Sequence, residues 1–265
     1  MINAAVLGSP INHSLSPLLH TIAYEQYGIK ATYEAIEIKS GELSSFIGGT
    51  QKNCLSLTMP LKEEALTLAG FVSDTAKKIS SGNTLTFRDG KWRLDSTDVA
   101  GFQYSLESHG VNDLGSVVIL GAGATARAAV AHISTICRSI KVVSRNQARQ
   151  ESMNFSSLCE IEYLPWVPTD LINQADLVVN TTPGDAADLF LSGVTKPRGV
   201  FFEVLYNPWP TKLSHEWSSQ GARVIDGLEL LIHQAISQVE IFAEINVDRA
   251  ELHSLMRNAA LAKLG

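Results

Sequence analysis

Gly121-Ala122-Gly123-Ala124-Thr125-Ala126 stands directly after an apolar, β-branched run and directly before an alanine-rich one. A GxGxxA at such a place lets the backbone approach a pyrophosphate while the first turn of the helix that follows aims amide donors at it. A tight strand-to-helix turn with no ligand is the plain alternative, and the flanking strand, helix, strand pattern weighs against it. About 20 residues on, an NAD site places a carboxylate on the ribose 2′-hydroxyl. Here the chain reads Val142-Val143-Ser144-Arg145-Asn146-Gln147-Ala148-Arg149, with no Asp or Glu before Glu151. Arg145, next to Ser144 at the strand end, can face an adenine and a 2′-phosphate, and Arg149 can add charge; either could also be a solvated charge near a helix cap. The combination favours NADP over NAD, and with it hydride chemistry, which the cofactor supplies.

Such a loop needs a strand before it and a helix after it. Residues 116–120 are apolar and β-branched, 124–137 alanine-rich and 140–143 apolar again, which is a βαβ unit. Short apolar runs at 177–179, 199–205 and 223–225 have the length of buried parallel strands, with helix-like segments between them. The fold class is therefore α/β, with a Rossmann-type doubly wound domain over residues 102–226. Ahead of it, strand patterns at 3–7, 32–38 and 54–58 and helix patterns at 16–27 and 61–69 form a separate α/β unit. In that unit Asp89-Gly90, a dipeptide that tolerates positive φ, turns 84–88 onto 91–94 as a hairpin. After Gly227 the chain reads as helical to its end, with Leu228, Leu231, Ala235, Ile236, Val239 and Phe242 in a wide apolar stripe.

The 265 residues suit two modest domains, and 45% hydrophobic with 18% charged residues is enough to bury a core. A net charge of -6, without any basic run, opposes nucleic-acid binding. Cys54, Cys137 and Cys159 are too scattered for a disulfide framework or a zinc site, and buried free thiols are expected. No basic region precedes an apolar stretch at the N-terminus, and no apolar run approaches the ~20 residues of a membrane span. The expected compartment is the cytoplasm. His13, His20, His109 and His233 lack metal-ligand spacing, and no metal is expected.

Several separated segments together resemble the shikimate dehydrogenase family. Gly8-Ser9-Pro10-Ile11-Asn12-His13-Ser14-Leu15-Ser16-Pro17 with His20 is similar to its Ser-x-Ser-Pro signature, and Leu57-Thr58-Met59-Pro60-Leu61-Lys62 to its Val-Thr-x-Pro-x-Lys segment. Gly82-Asn83-Thr84, Ser96-Thr97-Asp98 with Gly101, Asn180-Thr181-Thr182-Pro183, Tyr206-Asn207-Pro208 with Thr211, and Gly227 through His233-Gln234-Ala235 follow in the family's order. The resemblance implies a substrate domain of residues 1–101 and 227–265 facing, across a cleft, an NADP-binding domain of residues 102–226. It further implies reversible NADPH-dependent reduction of 3-dehydroshikimate to shikimate, on the way to chorismate and the aromatic amino acids. Carried over residue by residue, Lys62 and Asp98 become the catalytic pair, and Ser14, Ser16, Thr58, Asn83, Asp98, Tyr206 and Gln234 the substrate ligands. Gly121, Ala122, Gly123, Ala124, Thr125, Ala126, Ser144, Arg145, Arg149, Thr181 and Gly227 become the cofactor site. Expected partners are the small-molecule substrate and the cofactor, with no nucleic acid and no membrane, in a monomer or homodimer.

These residue types suit the chemistry. A ketone that takes up hydride develops alkoxide charge, which a neighbouring ammonium such as Lys62 can stabilise and protonate. A carboxylate such as Asp98 can orient the lysine, while hydroxyl and amide side chains grip a polyol by reciprocal hydrogen bonds. Duller roles stay open: Asp98 as a helix cap, Ser14 and Ser16 as turn and cap residues before Pro17, Tyr206 as a buried residue at a sheet end. Ser56 and Ser96 stand where the family pattern has asparagine, and each loses an amide; Ala124 replaces a common third glycine. A shorter serine leaves room for water or for a related ring acid such as quinate. A quinate enzyme and a catalytically idle NADP-binding paralogue are the rival functions.

Overall fold

Six of the seven residues of β1 (Ile2–Gly8) are buried, the mark of a strand covered on both faces. Helix α1 (Ser16–Gln26), entered through Pro17 where a missing N–H costs nothing, carries the chain to β2 (Ala31–Glu37), and α2 (Leu43–Gly49) carries it to β3 (Cys54–Leu57). Both β2 and β3 pair parallel with β1. Where the residue pattern predicts a helix over 61–69, the chain makes only a 3₁₀ turn, Glu64–Thr67. The Lys62 carbonyl accepts from Gly82 N (2.9 Å), and Leu66 N turns to Glu63 O instead, so the i→i+4 ladder is broken by a tertiary contact.

β4 (Phe71–Val72) and α3 (Asp74–Lys78), the latter capped by Ser73 Oγ accepting from Ala76 N, precede the hairpin of β5 (Thr84–Arg88) and β6 (Lys91–Asp95). Asp89 and Gly90 take φ of 51 and 74, as a two-residue turn between twisted strands requires. β5 pairs antiparallel with β3, which gives a mixed sheet of order β2-β1-β3-β5-β6-β4. Leu7, Leu55, Leu57, Leu61, Leu85 and Leu94 form the core of one face.

The computed structural model describes residues 1–264. In it the sheet just described belongs to a unit of Met1–Asp98 together with the chain from Ile232 onward, and Val99–Leu231 form a second unit. The sequence pattern puts these crossings after residues 101 and 226.

From Asp98, the last residue of this stretch of the first unit, α4 (Asp98–Ser108) enters the second and leads to β7 (Leu114–Leu120), α5 (Ala124–Ile133) and β8 (Cys137–Val143), then α6 (Gln150–Ser156), β9 (Ile161–Leu164), α7 (Leu171–Gln174) and β10 (Leu177–Asn180). β11 (Val200–Glu203), α8 (Lys212–Ser219) and β12 (Val224–Ile225) complete it. All pairings are parallel, in the order β12-β11-β10-β7-β8-β9. Counted from β7 that is the 3-2-1-4-5-6 order of a dinucleotide-binding sheet, with the switch point between β7 and β10. Helix α5 stops short of the predicted 124–137 because Cys137 is already paired with Leu114 in the β-ladder. Its thiol and that of Cys159 are partly exposed rather than buried; all three cysteines are free.

The C-terminal region is two helices, α9 (Gly227–Ala243) and α10 (Arg249–Leu264). Glu244 at φ 54 ends the first, and Asp248 Oδ1 caps the second by accepting from Ala250 N and Glu251 N. Ala235, Ile236, Val239 and Phe242 of α9 are buried, and α10 packs on α1. Among the described residues no helix is long and apolar enough to cross a membrane.

Candidate active site

In the first unit the turn after β3 delivers Lys62, the residue ahead of β5 is Asn83, and Asp98 opens α4 beyond β6. Since β3, β5 and β6 are neighbours in one sheet, their ends bring these three side chains together. Lys62 Nζ donates to Asp98 Oδ2 at 2.6 Å, with side chains only 17% and 6% exposed. A pair so poorly hydrated is held only if its remaining valences are met. Asn83 Nδ2 meets one by donating to Asp98 Oδ1 (2.9 Å), and also reaches Thr97 Oγ1 (3.0 Å) and Gln234 Oε1 of α9 (3.2 Å). Asn83 Oδ1 accepts from Thr97 N (2.8 Å) and Thr84 Oγ1 (2.7 Å), which fixes the amide's orientation. Asp98 therefore both starts a helix and faces the lysine.

Ser14 Oγ accepts from Ser16 N (3.3 Å), a turn bond leading into α1. Ser16 itself is buried. Thr58, half-buried, is fixed by its backbone, donating to Leu7 O and accepting from Leu61 N. Sequence reasoning missed half-buried Tyr33 and buried Gln238, which join Ser56 and His20 in one hydrogen-bonded group. Tyr33 donates to Ser56 Oγ (2.6 Å), Ser56 donates to Gln238 Oε1 (2.7 Å), and His20 Nε2 lies 3.3 Å from the same oxygen. The His20 ring stacks on Tyr33 at 4.1 Å. Burial lowers the His20 pKa from 6.5 to about 3, so the ring is neutral, and burial pushes the Tyr33 phenol up. Ser96 is buried too, and its Oγ has no hydrogen-bond partner among the described residues. Elsewhere in this unit His13 is exposed and His233 stacks on His253 at 4.8 Å.

In the second unit the glycine loop runs from β7 into α5. Gly121 takes φ +104, and a Cβ there would lie 2.6 Å from Thr181 Oγ1, itself tied to Leu120 O (2.8 Å). Only glycine fits between strand end and threonine. Gly123 is the N-cap of α5, and Ala124, Thr125 and Ala126 form its first turn, whose amides have no acceptor within the helix. Such a cradle suits the diphosphate of a dinucleotide.

Ser144 follows β8. Arg145 is exposed, with its guanidinium 5.8 Å from the centre of the Trp166 ring, while Arg149 Nη1 donates to Ala122 O (3.4 Å) in the glycine loop. The arginine that the spacing made secondary is thus the one on the loop. Tyr206, half-buried, follows β11, and Gly227 packs so tightly that a Cβ would meet Leu205 O at 2.3 Å. Another unforeseen group braces the end of β10. The buried Glu203 carboxylate accepts from Asn180 Nδ2 (3.0 Å), Thr211 Oγ1 (2.8 Å) and Leu205 N (3.1 Å). Burial raises its pKa, against the pull of those hydrogen bonds.

Residues 6–85 match the family model described as the shikimate dehydrogenase substrate binding domain. The shikimate dehydrogenase (NADP(+)) of Prochlorococcus marinus strain AS9601 is 32% identical over 282 residues, spanning 98% of this chain and 96% of that one. The crystal structure of shikimate dehydrogenase from Mycobacterium tuberculosis aligns with a TM-score of 0.87 at 34% identity, covering 99% and 100% of the two chains. That of shikimate 5-dehydrogenase from Thermus thermophilus, in complex with NADP(H) and shikimate, aligns at 0.83 with 27% identity over 98% and 100%. With the fold, the ordered motifs and the full-length likeness in agreement, the chain belongs to the shikimate dehydrogenase family.

Proposed function

We propose that the chain is an NADP-dependent oxidoreductase that interconverts 3-dehydroshikimate and shikimate, in the pathway to chorismate and the aromatic amino acids. The observation that carries this is the 2.6 Å contact of Lys62 with Asp98, tied in turn to Asn83 and Gln234. In reduction the carbonyl oxygen gains negative charge; Lys62 stabilises it and delivers a proton, and in oxidation it takes that proton back. Asp98 holds the ammonium in place and accepts from the reacting hydroxyl. Ser14, Ser16, Thr58, Asn83, Tyr206 and Gln234 supply the donors and acceptors that a polyol carboxylate needs.

The Gly121–Ala126 turn with Thr181 and Gly227 holds the dinucleotide, and Ser144, Arg145 and Arg149 the adenosine 2′-phosphate. NADP, when bound, supplies the hydride chemistry. Residues 1–101 and 227–265 act as the substrate domain and 102–226 as the cofactor domain, in a cytoplasmic monomer or homodimer. The test is absorbance at the reduced-nicotinamide band with shikimate or quinate, each with NADP or NAD. Fast reduction only with shikimate and NADP is the expected result. Silence with shikimate despite NADP binding overturns it, and turnover of quinate instead moves the chain to the quinate branch.

A further inference from the structure

We infer that Gln238, one helical turn beyond Gln234 on α9, is a positioning residue for the Lys62–Asp98 pair, supplying from the helix the amide that position 56 lacks. The inference rests on the function proposed above and adds a residue to it. Gln238 is 1% exposed and its amide is fully engaged. Nε2 donates to Asn83 O (2.9 Å) and Thr84 Oγ1 (3.0 Å), while Oε1 accepts from Ser56 Oγ (2.7 Å). A backbone carbonyl can only accept, so Nε2 must face Asn83 and Oε1 must face Ser56 and His20.

The order of donors then propagates. With Thr84 Oγ1 accepting from Gln238, its own proton goes to Asn83 Oδ1 (2.7 Å). Asn83 Oδ1 is thereby turned toward Thr84 and the Thr97 amide, and Nδ2 toward Asp98 Oδ1 (2.9 Å), whose other oxygen holds Lys62. Every member between Gln238 and Asp98 is at least nine-tenths buried, so no bulk water replaces a lost partner. Ser56 and Thr84 are direct cross-strand partners in β3 and β5, and Gln238 covers both. An asparagine at 56 would reach into the space a shortened residue 238 leaves.

The experiment compares the wild type with Gln238→Glu, Gln238→Ala and the double variant Gln238→Ala/Ser56→Asn. Glutamate keeps the shape and removes the donors, so Thr84 turns its proton to the new carboxylate and releases Asn83. Steady-state rates with shikimate and NADP are expected to show kcat down about ten-fold in both single variants with KM changed less than about three-fold. The double variant is expected to return to within about three-fold of the wild-type kcat. Solvent exchange of the Asn83 side-chain amide protons, followed by NMR without substrate, is expected to quicken in the single variants and slow again in the double. Unchanged kcat and unchanged exchange in Gln238→Glu overturn the inference. So does a loss in all three variants that follows their melting temperatures with no recovery by Ser56→Asn. A wild-type protein silent with shikimate refutes the proposed function instead, and the exchange comparison still decides the role of Gln238.

Discussion

His20 offers a quantitative probe of the substrate-side core. Its ring is fully buried on α1, stacked on Tyr33 and in contact with Gln238 Oε1, and burial lowers its pKa from 6.5 to about 3. The unfolded chain takes up this proton near pH 6.5 and the folded chain only near pH 3. Between those values the unfolded state binds more protons, so stability fully present above pH 6.5 is lost as pH falls. Each pH unit in the window is worth about 1.4 kcal/mol, or about 2 kcal/mol from pH 6.5 to about pH 5. The perturbation is His20→Phe, which keeps a ring against Tyr33 but cannot titrate. Urea unfolding followed by circular dichroism at several pH values gives the wild-type minus variant difference, in which the ordinary carboxylate titrations cancel. That difference should shrink by about 2 kcal/mol on acidification to about pH 5. Parallel stability curves for the two proteins would refute the buried, neutral imidazole.

Other substitutions probe the rest of the site. Gly121→Ala forces an L-residue to φ +104 against Thr181 Oγ1 and should cost about 1–3 kcal/mol in unfolding while weakening NADP by about ten-fold or more in calorimetry. Arg145→Asp should weaken NADP more than NAD, and Arg149→Ala should weaken both because it leaves the glycine loop; an unchanged cofactor ratio for the first would remove Arg145 from the site. Glu203→Leu strands the Asn180 amide and the Thr211 hydroxyl and should lower stability by about 1–3 kcal/mol, read as the denaturation midpoint.

The glycine loop and the Asp89-Gly90 hairpin were legible in the sequence because each depends on residues adjacent in the chain. The Lys62–Asp98 contact spans 36 positions, and nothing local distinguishes Lys62 from a surface lysine; only the ordered resemblance pointed to it. The helix pattern over 61–69 failed at one carbonyl, that of Lys62, claimed by Gly82 from a distant segment. Arg149 reaches the loop because a 3₁₀ turn, Gln147–Arg149, follows β8, and no periodicity reveals so short an element. Gln238 carried the same signal as Gln234, an amide among the apolar residues of α9. Its partners Ser56 and His20 lie 182 and 218 positions away, so its role emerges only in the fold.

The most direct test of the central claim compares NADPH formation from shikimate by the wild type and by Lys62→Ala, with NADP binding to each measured by calorimetry. If Lys62 handles the proton, turnover falls about 10²–10⁴-fold while NADP affinity stays within about two-fold. A variant that still turns over at the wild-type rate, or one that loses cofactor binding as steeply as turnover, would contradict the account and return Lys62 to a structural role.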